Sequence, residues 1–396
     1  MYDGEGRMWK RPDGWGRGWH WIQFVAVTAV LVLTAALPAC SNGTVVGSRD
    51  QAQTTPSAEP SGPRGSVWVA DEGADSLTVL DTATNTVVTT VTGVKKPHNV
   101  QVGRDGASAY TVSGANQVMA IDAATYTIKG VASTGSAPAH VIEAPNGKVY
   151  VTNADDGTVS VYQGPGLIPV GRIDLGGMPH GLRPAAGGSV IVVANTTADR
   201  LDLIDPTTDQ STGAVPVGRG PLQVAVTADG RYAYSGIAEP PAVVKVDLIS
   251  RTVVGSARVP TAPVQLYLTP DEKTVLSADQ GTSDKPGNTL SVIDTAAMTV
   301  RGTVGTGSGP HGVVIDTSGT RAWVTNIFDN TVSVIDLTNL SALATIAVGK
   351  EPNGVSYSPR PPAVPTAATI TLDVPALAPR AEDDPGPQPN DEHHGH

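Results

Sequence analysis

Residues 310–348 hold the stretch that decides the fold. It reads PHGVVIDTSGTRAWVTNIFDNTVSVID over residues 310–336 and ends in another apolar run at 343–348. Short runs of β-branched and aromatic residues alternate here with Gly, Ser, Asn and Asp, which is typical of strands joined by tight turns. The stretch therefore predicts four short strands. A sheet of this size cannot bury its two faces by itself, so the unit requires neighbours.

The same unit recurs seven times along the chain. Its first marker is a proline followed three residues later by Val or Leu, and successive prolines lie 41, 41, 42, 42, 47 and 42 residues apart. A second marker is an apolar strand ending in a small or polar residue, and a third is a Val-rich strand ending in Asp. A period of about 40 to 45 residues with four strands per unit indicates a β-propeller. The marker prolines are Pro97, Pro138, Pro179, Pro221, Pro263, Pro310 and Pro352.

The two ends of the repeat region complete each other. After Pro352 only one strand remains, up to about Arg360, whereas the chain near Ser66 opens on the second strand of a unit. Pairing the last strand with the first three makes one full blade and removes an open sheet edge. We therefore predict an all-β fold over residues 66–360, a seven-bladed β-propeller closed by pairing of its N- and C-terminal strands in one blade.

These markers, with Tyr150-Val151-Thr152-Asn153 as the literal string, resemble the YVTN-repeat family of seven-bladed propellers. That family includes YncE-like exported proteins and surface-layer-associated propellers. The resemblance covers residues 66–360 and implies the fold. The wider fold is similar to domains that hold copper or a modified haem in respiratory reductases, to the heavy subunit of an amine dehydrogenase and to sugar lactonases. Many YVTN proteins have no assigned activity, so the resemblance implies little about function.

The segments on either side of the repeats predict export and attachment. Basic residues precede an uncharged apolar run over 22–36, and this pattern resembles a bacterial lipoprotein signal peptide spanning residues 1–39, with Cys40 lipidated. An uncleaved membrane anchor is the alternative. Both place the domain outside the cytoplasm, attached to the cell membrane or cell envelope. Residues 40–65 predict a flexible tether, and residues 361–396 predict a disordered, Pro-rich acidic tail with a His-rich end.

Composition argues against several functional classes. The formal net charge is −11 and 16% of the residues are charged, so nucleic-acid binding is not expected. The single cysteine excludes an intramolecular disulfide and a cysteine-based zinc cluster. The sequence contains no Gly-x-Ser-x-Gly, no glycine-rich phosphate loop and no His-Glu-x-x-His, so we assign no catalytic residue.

Four histidines are the candidate ligand or metal residues. His98, His180 and His311 directly follow marker prolines, and His140 stands one residue further along its marker. Since the first strand of each blade lines the channel and begins on the top face, these residues are predicted to ring one channel mouth. Imidazole is a common ligand of copper, zinc and haem iron, so His98, His180 and His311 are the candidate metal ligands. A second polar ring, predicted to hydrogen-bond a small ligand or water, comprises Asn99, Gln223 and Gln265 together with His140.

Two interpretations of these histidines remain open. In the first, the histidines persist only because the repeats were copied from one ancestor, and a wide mouth would hold the rings too far apart for metal–nitrogen bonds of about 2.0 Å. In the second, the histidines bind a metal ion. The cofactor is therefore undetermined, with a transition metal as one candidate. We expect an exported, lipid-anchored monomer that serves as a binding or scaffolding module for a protein or small ligand at its top face. The alternative is metal-dependent redox or hydrolytic activity at the same histidines.

Overall fold

The structure is a computed structural model that describes residues 64–363 and 368–377. The predicted signal peptide, Cys40, nearly all of the tether and residues 378–396 lie outside the described residues, so the predictions made for them stay predictions. Within the described part of the chain, no helix is long and apolar enough to cross a membrane.

The described residues form seven four-stranded antiparallel sheets, one of which gains a fifth strand. A single 3-10 turn, Glu72–Ala74, interrupts the strands. The strands are β1 (Ser66–Asp71), β2 (Ser76–Asp81), β3 (Thr86–Thr92), β4 (Pro97–Val102), β5 (Ser108–Ser113), β6 (Gln117–Asp122), β7 (Ile128–Ser133), β8 (Pro138–Glu143), β9 (Lys148–Asn153), β10 (Thr158–Gln163), β11 (Ile168–Asp174), β12 (Pro179–Pro184), β13 (Ile191–Asn195), β14 (Arg200–Asp205), β15 (Gln210–Pro216), β16 (Val224–Val226), β17 (Tyr232–Ile237), β18 (Ala242–Asp247), β19 (Thr252–Arg258), β20 (Pro263–Leu268), β21 (Thr274–Gly281), β22 (Pro286–Asp294), β23 (Thr299–Gly305), β24 (Pro310–Ile315), β25 (Arg321–Asn326), β26 (Thr331–Asp336), β27 (Ser341–Ala347), β28 (Pro352–Ser358) and β29 (Thr369–Thr371).

The sheets are the blades of a ring. The innermost strands are β4, β8, β12, β16, β20, β24 and β28, and each contacts the inner strand of the next blade until β28 meets β4. This closed cycle surrounds a central channel, and it confirms the predicted all-β, seven-bladed β-propeller.

The blade that closes the ring combines both ends of the repeat region, as the sequence predicts. β28 pairs antiparallel with β1, in a register that sets Ser66 opposite Ser358 and Val69 opposite Val355. The Ser66 hydroxyl also donates to the carbonyl oxygen of Arg360 at 3.0 Å. We call this sheet, β28-β1-β2-β3, the closing blade.

The aspartates of the third sequence marker explain why the strands end where they do. The Asp336 carboxylate accepts the backbone N–H of Thr338 at 2.8 Å, and Asp81 accepts that of Ala83 at 2.7 Å. Such Asx turns start a tight reversal, which is completed in these two blades by Leu340 and Asn85 in the left-handed conformation. The marker is therefore the turn between the third and fourth strands of a blade.

The apolar core lies between neighbouring blades. One cluster joins Trp68 of β1 to Val100 of β4, and another joins Trp323 of β25 to Val67 of β1. Both tryptophans are at most 1% exposed, and Trp323 stacks on Tyr357 of β28 with ring centroids 5.5 Å apart. Because each cluster needs side chains from two blades, the loss of one blade exposes both of its neighbours.

A buried polar slot at the end of the second strand ties most blades to their loops, the exception being β17, which ends in Ile237. In β9, Asn153 Oδ1 accepts the N–H of Gly135 at 2.8 Å, and its Nδ2 donates to Thr158 and Ser160 at 2.9 and 3.0 Å. Asp71 fills the same slot in the closing blade, where the Thr78 hydroxyl donates to Oδ2 at 2.6 Å. An amide satisfies this slot as donor and acceptor, whereas a buried carboxylate can only accept.

The C-terminal tail differs in part from the prediction of disorder over 361–396. β29 adds to the closing blade, parallel to β3, with Thr369 opposite Thr90. Leu372 is 6% exposed and packs into the cluster around Trp68. The outer edge of β3 offers unpaired backbone groups, and the apolar Ile370 and Leu372 supply the burial. The proline-rich composition concealed this short apolar segment.

Candidate metal centre at the channel mouth

The histidines enter the channel at irregular positions of the inner strands. The register of β4 with β5 shifts between Pro97 and Val100, and that of β12 with β13 shifts between Pro179 and Leu182. Such a bulge leaves the residues after the proline outside the ladder and re-aims their side chains. The bulge that follows the marker proline therefore places the histidines.

Three of the four histidines converge. The ring centroids of His98 and His180 are 5.3 Å apart, those of His98 and His140 are 5.7 Å apart, and those of His140 and His180 are 4.9 Å apart. One ring nitrogen from each lies within 4.8 Å of the other two. The mouth is therefore narrow enough to bring the rings together, contrary to the concern that it holds them far apart. His311 stands further out, 6.5 Å from His98 between centroids.

The set that converges differs in one member from the predicted metal set of His98, His180 and His311. His140 takes the third place, although it stands one residue later in its marker. His140 is 5% exposed, whereas His98, His180 and His311 are half-buried because they line the channel. Within the part of the chain that the structure describes, these three histidines are the one group of His, Cys, Asp and Glu side chains close enough to hold a metal ion.

A hydrogen bond on the outer side sets the tautomer of one ring. His180 Nδ1 lies 3.1 Å from the carbonyl oxygen of Leu222, which can only accept, so Nδ1 carries the proton and Nε2 keeps a lone pair. His98 Nδ1 lies 3.1 Å from Glu72 Oε2, which can accept a proton, and 3.0 Å from Asn353 Nδ2, which can only donate one. His98 Nε2 is buried and has no hydrogen-bond partner in the structure. The Nε2 atom of His180 is thus prepared to bind a metal ion.

His140 has a different environment. Its Nδ1 lies 3.3 Å from Gln223 Nε2, and Gln223 Oε1 accepts the N–H of Val224 at 2.9 Å. The glutamine amide is therefore held with its NH₂ toward the ring. The other members of the predicted second polar ring are buried as well: Asn99 accepts the N–H of Val141 at 3.3 Å, and Gln265 donates to the carbonyl oxygen of Val313 at 3.4 Å. Their observed bonds go to the protein.

His311 belongs to a polar chain that leads to His98. Its Nε2 donates to Asn353 Oδ1, and its Nδ1 lies 3.2 Å from Gln280 Oε1. Asn353 Nδ2 donates to Glu72 Oε2 at 2.8 Å and lies 3.0 Å from His98 Nδ1. Neutral imidazole has one N–H, and His311 donates it to Asn353, so His311 orients Asn353, which in turn donates to Glu72.

Sequence reasoning missed Glu72, Asn353 and Gln280. Asn353 follows the last marker proline, in the slot that His98 fills in its own repeat, so the repeat alignment could have found it. Gln280 comes from the extra residues of the fifth repeat, which lengthen β21 and β22. The loop of Glu72 joins two strands on the histidine-bearing face, as strand order predicts, but nothing in the sequence singled out Glu72 as the partner of His98.

Burial keeps His140, His180 and His311 neutral by lowering their pKa values. It lowers the pKa of His180 and of His311 to about 3, with the nearby His98 adding to the effect. Burial and the neighbouring His180 and His98 lower the pKa of His140 well below its usual value. Neutral imidazole is the form that binds metal ions, so His180 need lose no proton at neutral pH. His140 Nδ1 accepts from Gln223, so neutral His140 carries its proton on Nε2, and this proton must move before Nε2 can bind a metal ion.

The geometry fits a three-histidine site with small adjustments. Nitrogen ligands of one tetrahedral ion lie roughly 3.3 Å apart, given bonds of about 2.0 Å. Ring nitrogens within 4.8 Å of one another reach that separation by shifts of roughly 1 Å, which side-chain rotation supplies. Three protein ligands leave a fourth position open, toward the channel, for water or another ligand.

No family model and no curated protein matches this chain. Solved structures do match. Kuenenia stuttgartiensis hydrazine synthase superposes with a TM-score of 0.60 at 20% identity, covering 66% of this chain and 90% of that chain. A functionally unknown protein from Desulfotomaculum acetoxidans gives 0.65 at 12% identity, with 75% and 99% coverage. A Bacteroides fragilis protein provisionally named a 6-phosphogluconolactonase gives 0.64 at 16% identity, with 77% and 100% coverage.

These likenesses establish the fold alone. All three identities are low, and the matched proteins include an enzyme as well as a protein of unknown function. The YVTN and YncE resemblance stays a prediction from the sequence. Any statement about what this propeller binds must therefore come from its own site residues.

Proposed function

We propose that this chain is an exported, lipid-anchored propeller that binds a divalent transition-metal ion at the channel mouth through His98, His140 and His180. The observation that carries the proposal is the convergence of three ring nitrogens within 4.8 Å, one of the rings having a buried Nε2 without a partner. Burying a polar atom without a hydrogen bond costs free energy, and a bound ion would remove that cost. Imidazole ligands favour zinc and copper among the common metals.

The second-sphere contacts support the same function. Ligating histidines commonly donate their other N–H to a carboxylate or a backbone carbonyl, which fixes the ring and makes the ligand more basic. His98 has Glu72 in that role, and His180 has the Leu222 carbonyl. A histidine that merely persisted by descent would need neither partner.

Metal titration tests the proposal directly. Protein truncated after Leu377 lacks the tail histidines, so metal bound by it reports on the propeller. We expect one equivalent of Zn²⁺ or Cu²⁺ per chain by calorimetry and elemental analysis. His98→Ala, His140→Ala and His180→Ala should each weaken binding at least 100-fold, because each removes a ligand. His311→Ala is the matched control and should weaken binding less than tenfold. Absence of stoichiometric metal, or an equal loss in the His311 variant, would contradict the proposal.

A milder substitution distinguishes a residue that binds the metal ion from one that only orients a metal-binding histidine. Glu72→Gln keeps the size of the side chain but removes the charge that holds the Nδ1 proton of His98. We expect zinc affinity to fall about 10- to 100-fold while the stoichiometry stays at one per chain, as is typical of second-sphere carboxylates. An unchanged affinity would show that Glu72 does not orient His98.

Attachment to the membrane has its own test. In a bacterial host, the full-length chain should fractionate with the membrane and take up labelled fatty acid, whereas Cys40→Ser should do neither. A Cys40→Ser protein that still fractionates with the membrane and resists alkaline extraction would favour the uncleaved anchor instead.

Metal-dependent catalysis is a second candidate, favoured by the coordination position that three ligands leave open. Hydrolysis requires such a position for a metal-bound water. Zinc-loaded protein should then hydrolyse 4-nitrophenyl acetate faster than zinc-loaded His180→Ala protein. Equal rates would leave binding as the function of the site.

A further inference from the structure

The amide of Gln223 is held in one orientation beside His140. Gln223 is 2% exposed, and its Oε1 accepts the N–H of Val224 at 2.9 Å. Gly181, the residue after His180, leaves no room next to the amide, because a Cβ atom added there would overlap Oε1 and Cδ of Gln223. A reversed amide would set its NH₂ against the Val224 N–H, donor against donor. The Nε2 donor of Gln223 therefore stays directed at the His140 ring.

The contact with Gln223 sets His140 apart from the other two converging histidines. Those two rings each have an acceptor 3.1 Å from Nδ1, namely the Leu222 carbonyl oxygen and Glu72 Oε2. The Nδ1 atom of His140 instead lies 3.3 Å from the Gln223 NH₂, which can only donate. Neutral His140 therefore keeps its lone pair on Nδ1 and its proton on Nε2.

Metal binding at His140 conflicts with this hydrogen bond at either ring nitrogen. An ion on Nδ1 displaces the Gln223 donor, which is buried and loses its acceptor. An ion on Nε2 requires the proton to move to Nδ1, where it would face the Gln223 NH₂, N–H against N–H. A buried polar group left without a partner costs free energy. Metal binding therefore breaks a contact that the metal-free protein makes.

We infer that Gln223 is a positioning residue that keeps the metal ion at His98, His140 and His180 exchangeable, because it holds His140 in the tautomer that opposes metal binding. The inference rests on the proposed function, since it concerns the same three ligands. It adds that the ion is taken up and released rather than held as a permanent cofactor. Leu222 and Gln223 act on two ligands in opposite senses: the Leu222 carbonyl prepares His180, whereas the Gln223 side chain restrains His140.

The ring tautomer of His140 in the metal-free protein is the first test, and its result does not depend on metal binding. Full-length protein labelled with ¹⁵N-histidine and dialysed against EDTA gives ring nitrogen shifts that distinguish a protonated nitrogen from one with a lone pair. His140→Gln and His180→Gln variants assign the signals. We expect the proton of His140 on Nε2 and that of His180 on Nδ1 at pH 7. A proton of His140 found on Nδ1 would overturn the inference.

Removal of the donor is the second test, made with the protein truncated after Leu377. Gln223→Glu keeps the acceptor for the Val224 N–H but replaces the donor by a carboxylate oxygen, which favours a proton on Nδ1 of His140. At pH 8 we expect this variant to bind zinc about tenfold more tightly than wild type, within the usual range of second-sphere effects, and to release it to excess EDTA more slowly. Gln223→Met, which removes the donor without adding a charge, should raise the affinity by a smaller factor.

Gln265→Glu is the matched control for the added charge. Gln265 follows its marker proline at the same distance as Gln223, is 3% exposed and donates to the Val313 carbonyl. This variant should keep the wild-type zinc affinity and the wild-type tautomer of His140. If the wild type binds no zinc while Gln223→Glu binds one equivalent, the proposed function fails and the restraint by Gln223 stands. If the wild type binds one equivalent as tightly as both Gln223 variants, or if Gln265→Glu gains as much affinity as Gln223→Glu, the inference fails and the proposed function stands.

Discussion

Deletion of residues 352–360 is expected to abolish the cooperative unfolding transition of the propeller. The deletion removes β28, the inner strand of the closing blade, and with it the contacts of β28 to both β24 and β4. Val355, 3% exposed, and Tyr357, which stacks on Trp323, leave the core with it. Single domains are stable by about 5 to 15 kcal/mol, and the opening of a blade together with two inter-blade clusters exceeds such a margin.

Circular dichroism during heating and size-exclusion chromatography measure this effect. The deletion variant should aggregate or melt without a sharp transition. Truncation after Leu377 removes no described strand and should melt like the full-length chain. Val355→Asp is a finer version of the test, because it keeps the backbone of β28 but buries a charge, at a cost of about 3 kcal/mol or more. A deletion variant that melts within a few degrees of wild type would contradict closure by β28.

Asp71→Asn is expected to stabilise the protein at neutral and alkaline pH. Burial raises the pKa of Asp71 from 3.8 to about 7, against the opposing effect of the Thr78 hydroxyl. Asp71 is fully buried and its Oδ1 makes no hydrogen bond of normal geometry. The folded state therefore holds a proton that the unfolded state releases, and stability falls as the pH rises from about 4 through 7. The asparagine variant lacks this loss and should gain about 2 to 4 kcal/mol above pH 7, with little difference near pH 4.

Urea denaturation at pH 4.5, 6 and 8 measures the gain. Asn153→Asp is the reciprocal control, since it places a carboxylate in the equivalent slot and should destabilise the protein more at pH 8 than at pH 4.5. Asp279→Asn should resemble Asp71→Asn with a smaller effect, because burial raises the pKa of Asp279 only to about 6. An Asp71→Asn variant whose stability parallels that of wild type at every pH would show that the carboxylate of Asp71 does not titrate in this window.

The repeat markers were sufficient to predict the fold because each one has a physical cause that acts locally. In six of the seven units the Asp of the third marker builds an Asx turn, and in six the proline of the first marker starts an inner strand, the exception being β16, which begins at Val224. The last strand of the repeat region and its first three strands together make up one repeat, so the pairing of β1 with β28 also follows from counting the strands. β29 escaped prediction because the apolar residues of a three-residue strand are outnumbered by the prolines around them.

The candidate site was predicted only in part. Sequence spacing placed the histidines on one rim, but it does not reveal which neighbouring blade each side chain contacts. His180 contacts the Leu222 carbonyl and His311 contacts Asn353, both on the next blade, whereas His98 contacts Glu72 of the preceding, closing blade. Glu72 and Asn353 become neighbours only after the ring has closed.

The adjacency of Ser66 and Arg360 has a consequence for where this fold begins. Since the two residues already touch, a short linker between them would make the ring continuous, and new ends could be opened in any exposed loop between blades. A circular permutant opened between β19 and β20, for example, would contain the same seven blades, and the four antiparallel strands of every blade would then come from one continuous stretch of chain. The order of the blades along the chain is therefore a property of where translation starts and stops, whereas the arrangement of groups around the channel belongs to the ring itself.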